Sequence, residues 1–470
     1  MSRATPTPAV TPSLLARALR GRCRRAWVVG GWVRDRLLGR KTGDADLVVE
    51  RDASEAASAV ADRLGGSLVA MGRRRQTFRV VVSGLNLDFA SPRAPTIPED
   101  LLERDFTVNA VALPCSRIAS PRWRRHLLDP ANGLQDLNRR VLRAVRPETF
   151  DHDPLRMLRA VRLAAVLGFA IERATQRAIA RRSHLLSRVA AERVRDELLI
   201  ILRADRADRY LRIAHSLGLL RALMPELTDL AAIEQGKFHA KDALEHSLLT
   251  VRHVNRLIRS PGSLAAGVGD RVRALLSHRI AGGRTRADVL RFAALTHDLG
   301  KSKTRTEDET GVHFYGHPSL GAEMAAAIAR RLALGKKEQG ALRALVDNHM
   351  RPLLLSRAEP TERSIRRLLL AVGEQAVPLA LLAHADLLAS TPTPATRRAQ
   401  SKVTARLISA FFRSPPPPPL VDGFQVMRRY GLQPGRQVGR LLEIARCAQI
   451  ERGLRTQEEI WRILDRMVGK

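Results

Sequence analysis

Near Pro147 the apolar pattern of this chain changes its period, and that change limits its fold more than any other feature. Before it, short apolar runs alternate with turns. Trp27–Val29, Leu47–Glu50, Thr77–Val82 and Leu85–Phe89 read as strands, and Val33–Leu38 and Ser54–Leu64 as helices. After it, Leu, Ala and Arg recur at helical spacing to the C-terminus. One repeating architecture cannot hold both periods. The pattern predicts an α+β chain, with a small α/β head followed by an all-helical remainder. Five segments follow: a tail, 1–25, with a short helix near Leu14–Leu19; the head, 26–146; a helical neck, 147–225; a helical body, 226–413; and C-terminal helices, 414–470. The turn cluster Asp129-Pro130-Ala131-Asn132-Gly133 lies late in the head. Ser260–Gly269 reads as one linker, and Ser414 with Pro415–Pro419 as a polyproline spacer.

Charge narrows the partner. Eighty Lys+Arg against 47 Asp+Glu leave +33, which calls for a polyanion such as nucleic acid. Only nine of those cations are lysines, so part of the Arg and Ala excess reads as compositional bias. Aromatic residues make up 4%, too few for a single-strand binder built on stacked rings. No apolar run approaches the roughly 20 residues that span a bilayer, and Met1–Ser13 lacks a signal-peptide core. No membrane partner is therefore expected. Cys23, Cys115 and Cys447 are too scattered for a disulfide framework or a Cys-based zinc site, so a cytoplasmic location is expected.

The first chemical signal is ordered: the strand Trp27-Val28-Val29, then Gly30-Gly31, then a helix with Arg34 and Asp35, then Asp44-Ala45-Asp46. Residues i and i+2 of a strand share a face, so Asp44 and Asp46 project together while Ala45 and Leu47 turn inward. Two convergent carboxylates repel unless a hard divalent cation lies between them, and Mg²⁺ is the natural occupant. The glycines permit close approach to a phosphate. Asp88 has the alternation to add a third carboxylate from a neighbouring strand.

These residues resemble the head motif of class II tRNA nucleotidyltransferases and bacterial poly(A) polymerases. Three further stretches extend the resemblance in order. They are Arg104-Asp105-Phe106-Thr107-Val108-Asn109-Ala110, then Asp129-Pro130 through Leu137, then Asp153-Pro154-Leu155-Arg156-Met157-Leu158-Arg159-Ala160-Val161-Arg162 with Leu167-Gly168-Phe169. The resemblance implies that Asp44 and Asp46 hold catalytic metals; Asp88, by its strand alternation, is expected to support the attacking side. It implies that Gly30, Gly31, Arg34 and Arg104 bind the nucleotide. Asp153 and Arg156 match the template that reads the incoming base; a carboxylate accepts from an exocyclic amine and a guanidinium donates to ring acceptors. Arg159 and Arg162 continue that helical face toward the phosphates. Two positions depart from the pattern. Glu103 stands where an Arg is usual, and His152 stands where a Glu usually precedes the template Asp. A histidine cannot supply a fixed negative charge, so the switch from C to A is left open.

The second signal lies in the helical half: His246, His297-Asp298, His317, His349 and Asp386. Imidazole with carboxylate suits Mn²⁺, Ni²⁺, Fe²⁺ or Co²⁺, with Mg²⁺ fitting carboxylate-rich positions. Leu295-Thr296-His297-Asp298-Leu299-Gly300-Lys301 resembles the HD-domain signature, and the full set resembles its two-metal form. The resemblance implies a metal-binding phosphohydrolase fold whose substrate is not specified.

The combined reading is a template-independent RNA nucleotidyltransferase that adds CCA, or part of it, to tRNA from CTP and ATP by two-metal phosphoryl transfer. A poly(A) polymerase shares the same motifs. An HD phosphohydrolase with a vestigial head is a further alternative, which intact Asp44 and Asp46 oppose. The Pro-rich stretch Ala90–Leu102 is the candidate flexible loop governing nucleotide choice.

Overall fold

The computed structural model describes residues 9–19, 25–50, 52–71, 77–233, 242–264, 267–280, 282–309, 311–413 and 419–468. Most of the polyproline spacer and of the expected N-terminal tail lie outside these. The chain divides into two compact units, Met1–Val189 with Ser216–Leu219, and Ala190–His215 with Leu220–Lys470.

The first unit carries a six-stranded sheet of β1 (Ala26–Val29), β2 (Asp44–Val49), β3 (Ser67–Met71), β4 (Thr77–Val82), β5 (Leu85–Ala90) and β6 (Ala112–Pro114), besides the short parallel pair Val141–Leu142 and Ala170–Ile171. The order in the sheet is β3-β4-β5-β2-β1-β6; β2 and β5 are parallel and its other pairs antiparallel. Helices α1 (Pro12–Leu19), α2 (Gly31–Leu37) and α3 (Ala53–Leu64) contribute to one apolar core with Val28, Leu47 and Phe89. Helix α3 begins where Asp52 Oδ1 accepts from the amide of Ser54 at 2.8 Å, and ends at Gly65 with φ 62°. A second core holds Val29, Val48, Ile97, Leu101 and Ala112.

Two expectations are corrected. β2 starts three residues earlier than the expected Leu47, and Asp44 and Asp46 lie on it, as their shared face required. The stretch expected as a flexible loop is half helix: α4 (Ile97–Leu102) buries Ile97, Asp100 and Leu101, and Thr96 and Glu99 form a capping box. Pro98 is tolerated there because the first helical turn has no backbone donor to lose.

Helix α5 (Gly133–Arg139) explains the turn cluster. Asp129 accepts from the amides of Gly133 and Leu134 at 2.7 and 2.9 Å, and buried Asp136 accepts from Thr107 Oγ1 at 2.7 Å. A Cβ at Gly133 would stand 2.0 Å from Thr107 O, so the crossing exists only with glycine. Gly133→Ala is expected to cost about 3 kcal/mol or more, read by thermal denaturation; a Tm within a degree of wild type would contradict it. Next come α6 (Thr149–His152) and α7 (Leu155–Leu167), with Gly168 at φ 73° closing α7.

The second unit is helical apart from one antiparallel hairpin, Arg305–Asp308 with Gly311–Phe314, which the expectation of an all-helical remainder did not include. Helices Ala243–Arg259, Arg286–Thr296, His317–Arg331, Lys336–Asn348 and Ala376–Ala389 surround the His/Asp set. The expected linker Ser260–Gly269 includes the short turn Pro261–Ser263, and Gly269 opens the next helix. The stretch Glu362–Ala389 is long and apolar enough to cross a bilayer, which the sequence reading passed over; 78% of its apolar window is buried, as in a core helix.

Candidate functional site

In the head, Asp44 lies level with Asn86 and Asp46 level with Asp88 across the parallel β2–β5 pair. Ala45 and Leu47 are buried, and so are Leu87 and Phe89, which leaves the acids together on the opposite face. Asn86 Nδ2 donates to Asp44 Oδ1 at 2.7 Å. Asp88 is engaged differently from the expectation of a free third carboxylate. Arg79, level with it on β4, grips it with two bonds of 2.7 Å each. That grip takes one lone pair on each oxygen of Asp88 and leaves the others open to a cation.

Gly30 adopts φ 70°, and a Cβ there would stand 3.2 Å from Arg104 Nη1 and 3.3 Å from Asp46 Oδ2. The Gly30-Gly31 turn, Arg104 and Asp46 therefore meet at one place. Asp46 is open to water yet recessed in protein. Loss of hydration pushes its carboxyl above the ordinary value, Arg104 pulls it down, and Asp88 and Asp44 push it up again. A divalent cation would relieve both the poor hydration and the repulsion, so the donor set fits one.

Arg34 is placed as a brace. It is buried, with Nη1 donating to Asn109 Oδ1 at 2.7 Å and Nε to Asp35 Oδ1 at 2.9 Å. Asn109 Nδ2 donates to Asp105 Oδ1 at 3.0 Å, and Asp105 Oδ2 lies 3.6 Å from Arg159 Nε. Burial works to raise the Asp105 pKa, but Arg159, Asn109 and Arg156 outweigh it and hold it below the ordinary value. This chain of charges joins the glycine turn to α7. Sequence reasoning quoted Asp105 and Asn109 within a motif but gave them no role; Arg79, Asn86 and Thr149 it missed.

Arg156, Arg159 and Arg162 are half-buried on one face of α7 between the buried Leu155, Leu158 and Val161, and Asp153 stands at its N-terminal end. Arg156 Nη1 donates to Thr149 Oγ1 and to Glu103 O, the latter at 3.4 Å. Arg104 Nη2 donates to buried Asp100 at 3.2 Å.

The second unit brings all six expected ligands together, and all are buried. His246 Nε2 lies 2.8 Å from Asp386 Oδ1 and 3.7 Å from Asp298 Oδ2, and His297 Nε2 lies 3.6 Å from Asp386 Oδ1 and 3.3 Å from Asp298 Oδ2. The other oxygen of Asp298 faces His317 Nε2 at 3.6 Å and His349 Nε2 at 3.8 Å. Asp298 thus stands between two groups of histidines. His297, His317 and His349 each place Nδ1 against a backbone carbonyl, of Ala294, Phe314 and Val346 respectively. That contact places an Nδ1–H on each carbonyl and turns the Nε2 atoms inward, the orientation that metal ligation requires. Burial opposes protonation of His297, but Asp298 and Asp386 prevail and lift its pKa to about 10. Burial and the His297 charge push His349 down to about 4. The carboxylates demand a positive partner, which a divalent ion would supply. Lys301 Nζ, 2.7 Å from Asp298 Oδ2, was not expected. Gly300 allows the close crossing: a Cβ there would stand 2.1 Å from His317 O.

The poly A polymerase head domain family matches residues 26–143, the probable RNA and SrmB-binding site of polymerase A matches 168–230, and the HD domain matches 243–391. The CC-adding tRNA nucleotidyltransferase of Thermus thermophilus is 36% identical over 92% of both chains. The A-adding tRNA nucleotidyltransferase of Deinococcus radiodurans is 35% identical over 89% of both. Among solved structures, the Thermotoga maritima CCA-adding enzyme complexed with tRNA superposes with a TM-score of 0.56 at 22% identity, covering 97% of this chain and 94% of that one, a likeness of fold.

Proposed function

The chain belongs to the tRNA nucleotidyltransferase family that joins a poly(A) polymerase head to an HD domain, and from that premise we propose that it extends tRNA 3′ ends with CCA or a part of it, from CTP and ATP. The observation that carries this reading is the face of β2 and β5, where Asp44 and Asp46 stand beside Asp88 at the Gly30-Gly31 turn. Part of CCA is the better reading, because relatives matched across most of both chains are named for CC or for A addition.

Asp44 and Asp46 would hold Mg²⁺, with Asp88, oriented by Arg79, beside them. Bound there, divalent ions make the 3′-hydroxyl more acidic and neutralise the departing pyrophosphate. The chain's own residues do the rest. The Gly30-Gly31 turn and Arg104 receive the triphosphate, and Arg34 holds that turn through Asn109 and Asp105. Asp153 and Arg156 present an acceptor and donors to the Watson–Crick edge of the base. Arg159 and Arg162 extend the cationic face. In the second unit, His246, His297, Asp298, His317, His349 and Asp386 would hold one or two ions among Mn²⁺, Ni²⁺, Fe²⁺, Co²⁺ and Mg²⁺, for hydrolysis of a phosphate ester.

The test is incorporation of labelled CTP, ATP, UTP and GTP into tRNAs ending before CCA, CA or A, and into an unstructured RNA. C alone, A alone, or C, C and A followed by arrest supports the reading and fixes the part added. Unbounded A addition would make the chain a poly(A) polymerase, and no incorporation would leave only the HD centre as an active site.

A further inference from the structure

We propose that Arg79 is a positioning residue for nucleotide transfer: its two-bond fork sets the direction in which the Asp88 carboxylate meets the Asp44 and Asp46 pair. This role rests on the reading that the acid-bearing face of the head carries the transfer. Arg79 itself would hold neither nucleotide nor ion.

The sheet builds the arrangement. Val80 is buried and Phe78 packs against the same core, as do Leu87 and Phe89 on β5 and Ala45 and Leu47 on β2. Alternation then turns Arg79, Asp88 and Asp46 to the opposite face. The register makes them one row across three strands, with Asp46 level with Asp88 and Asp88 level with Arg79. On its other side Arg79 lies level with Val69 of β3, so its backbone is held between two strands.

Within that row, Arg79 Nε donates to Asp88 Oδ1 and Nη2 to Oδ2, each at 2.7 Å. A parallel fork fixes the plane of a carboxylate as well as its axis, which a single bond does not. It occupies one lone pair on each oxygen, so the pair left on each has a set direction. The fork is sheltered, with the two side chains 34% and 23% exposed, so water competes for it less than at an open surface. The cation beside Asp46 is Arg104 at the glycine turn, so the two acids are steadied by different arginines. A misdirected carboxylate at a reacting centre costs rate far more than binding. An opposite-charge pair across two strands also stabilises a sheet, and lysine separates the two roles. It keeps the charge and the place in the sheet but has no fork.

The experiment uses the full chain with the tRNA and nucleotide that it joins. The variants are Arg79→Gln, Arg79→Lys, Asp88→Asn, Asp46→Ala, and Arg79→Gln combined with Asp88→Asn. The readouts are kcat, KM, Tm, and Mn²⁺ binding by electron paramagnetic resonance, the ions lost in Asp46→Ala being those of the head. Arg79→Gln should lower kcat about 10- to 100-fold while KM for the nucleotide stays within about threefold. Its head ions should bind no more weakly than in wild type, because a cation has been taken from beside them. Arg79→Lys should keep the wild-type Tm yet stay within about threefold of Arg79→Gln in kcat. The double variant should be no slower than Asp88→Asn, because Arg79 acts through that acid. Wild-type kcat in Arg79→Gln, recovery in Arg79→Lys, additive losses in the double variant, or loss of the head ions in Arg79→Gln would each overturn the proposal. Full activity in Asp88→Asn would overturn it too, and leave the transfer centre at Asp44 and Asp46 standing. Full activity in Asp46→Ala would remove the centre itself.

Discussion

Asp46→Ala will lower nucleotide transfer by at least about a thousandfold, roughly 4 kcal/mol of barrier, while tRNA binding and folding stay near wild type. The physical reason lies in what the carboxylate does in the resting protein. Asp46 is open to water yet recessed in protein: desolvation pushes its carboxyl up, Arg104 pulls it down, and the like charges of Asp88 and Asp44 push it up again. Removing it ends that repulsion together with the pull of Arg104, so the net effect on the fold is small. Its Cβ points away from the buried row of Ala45 and Leu47, so no core contact is lost. What disappears is the carboxylate opposite Arg104 at the glycine turn, and with it the fixed site for a divalent ion. Asp44→Ala should do the same, with a small additional effect from freeing Asn86, now bonded to Asp44 at 2.7 Å. Single-turnover transfer and filter binding with the same tRNA separate the cases. Loss of binding in parallel with activity would assign Asp46 a structural role, and activity within tenfold of wild type would move the reaction centre elsewhere.

Such a site was legible because its pieces are local in sequence. Asp44 and Asp46 are two residues apart, and strand alternation alone puts them on one face. Asp88 was reachable by the same logic, but its grip on Arg79 depends on the register of β4, which periodicity does not reveal. The brace from Arg34 to Arg159 spans residues 75 positions apart at its first bond, so no window of sequence contains it. Strand β3 was missed for a different reason. It is an exposed edge strand, and with no buried face Ser67–Met71 carries no alternation to read. Helix α4 was hidden by the prolines before it, where the Thr96–Glu99 capping box was the overlooked signal. In the helical unit the ligand order was readable, whereas the placing of Asp298 between two groups of histidines required the packed helices.

Asp298→Ala will empty the HD centre of metal and destabilise its own unit by about 3 to 5 kcal/mol, because it leaves buried cations without their partner. Asp298 Oδ2 holds Lys301 at 2.7 Å and faces His297 at 3.3 Å, and Oδ1 faces His317 and His349. Burial disfavours its ionised form, yet His297, Lys301 and His246 keep its pKa well below the ordinary value. The same field lifts His297 to about 10, so at pH 7 that imidazole carries a proton which a metal must displace. The sign follows: metal uptake at neutral pH releases protons, and apparent affinity rises with pH until His297 has titrated. Metal content after dialysis, measured at pH 6, 7 and 8, checks both statements. Wild type should retain metal more firmly at each step up in pH, and Asp298→Ala should retain none. Transfer by the variant, assayed below its melting temperature with Mg²⁺, should persist, because Asp44 and Asp46 lie in the other compact unit. Metal bound at wild-type stoichiometry in Asp298→Ala would show that the ion sits elsewhere, and an affinity that fell with rising pH would exclude a protonated His297 as its competitor.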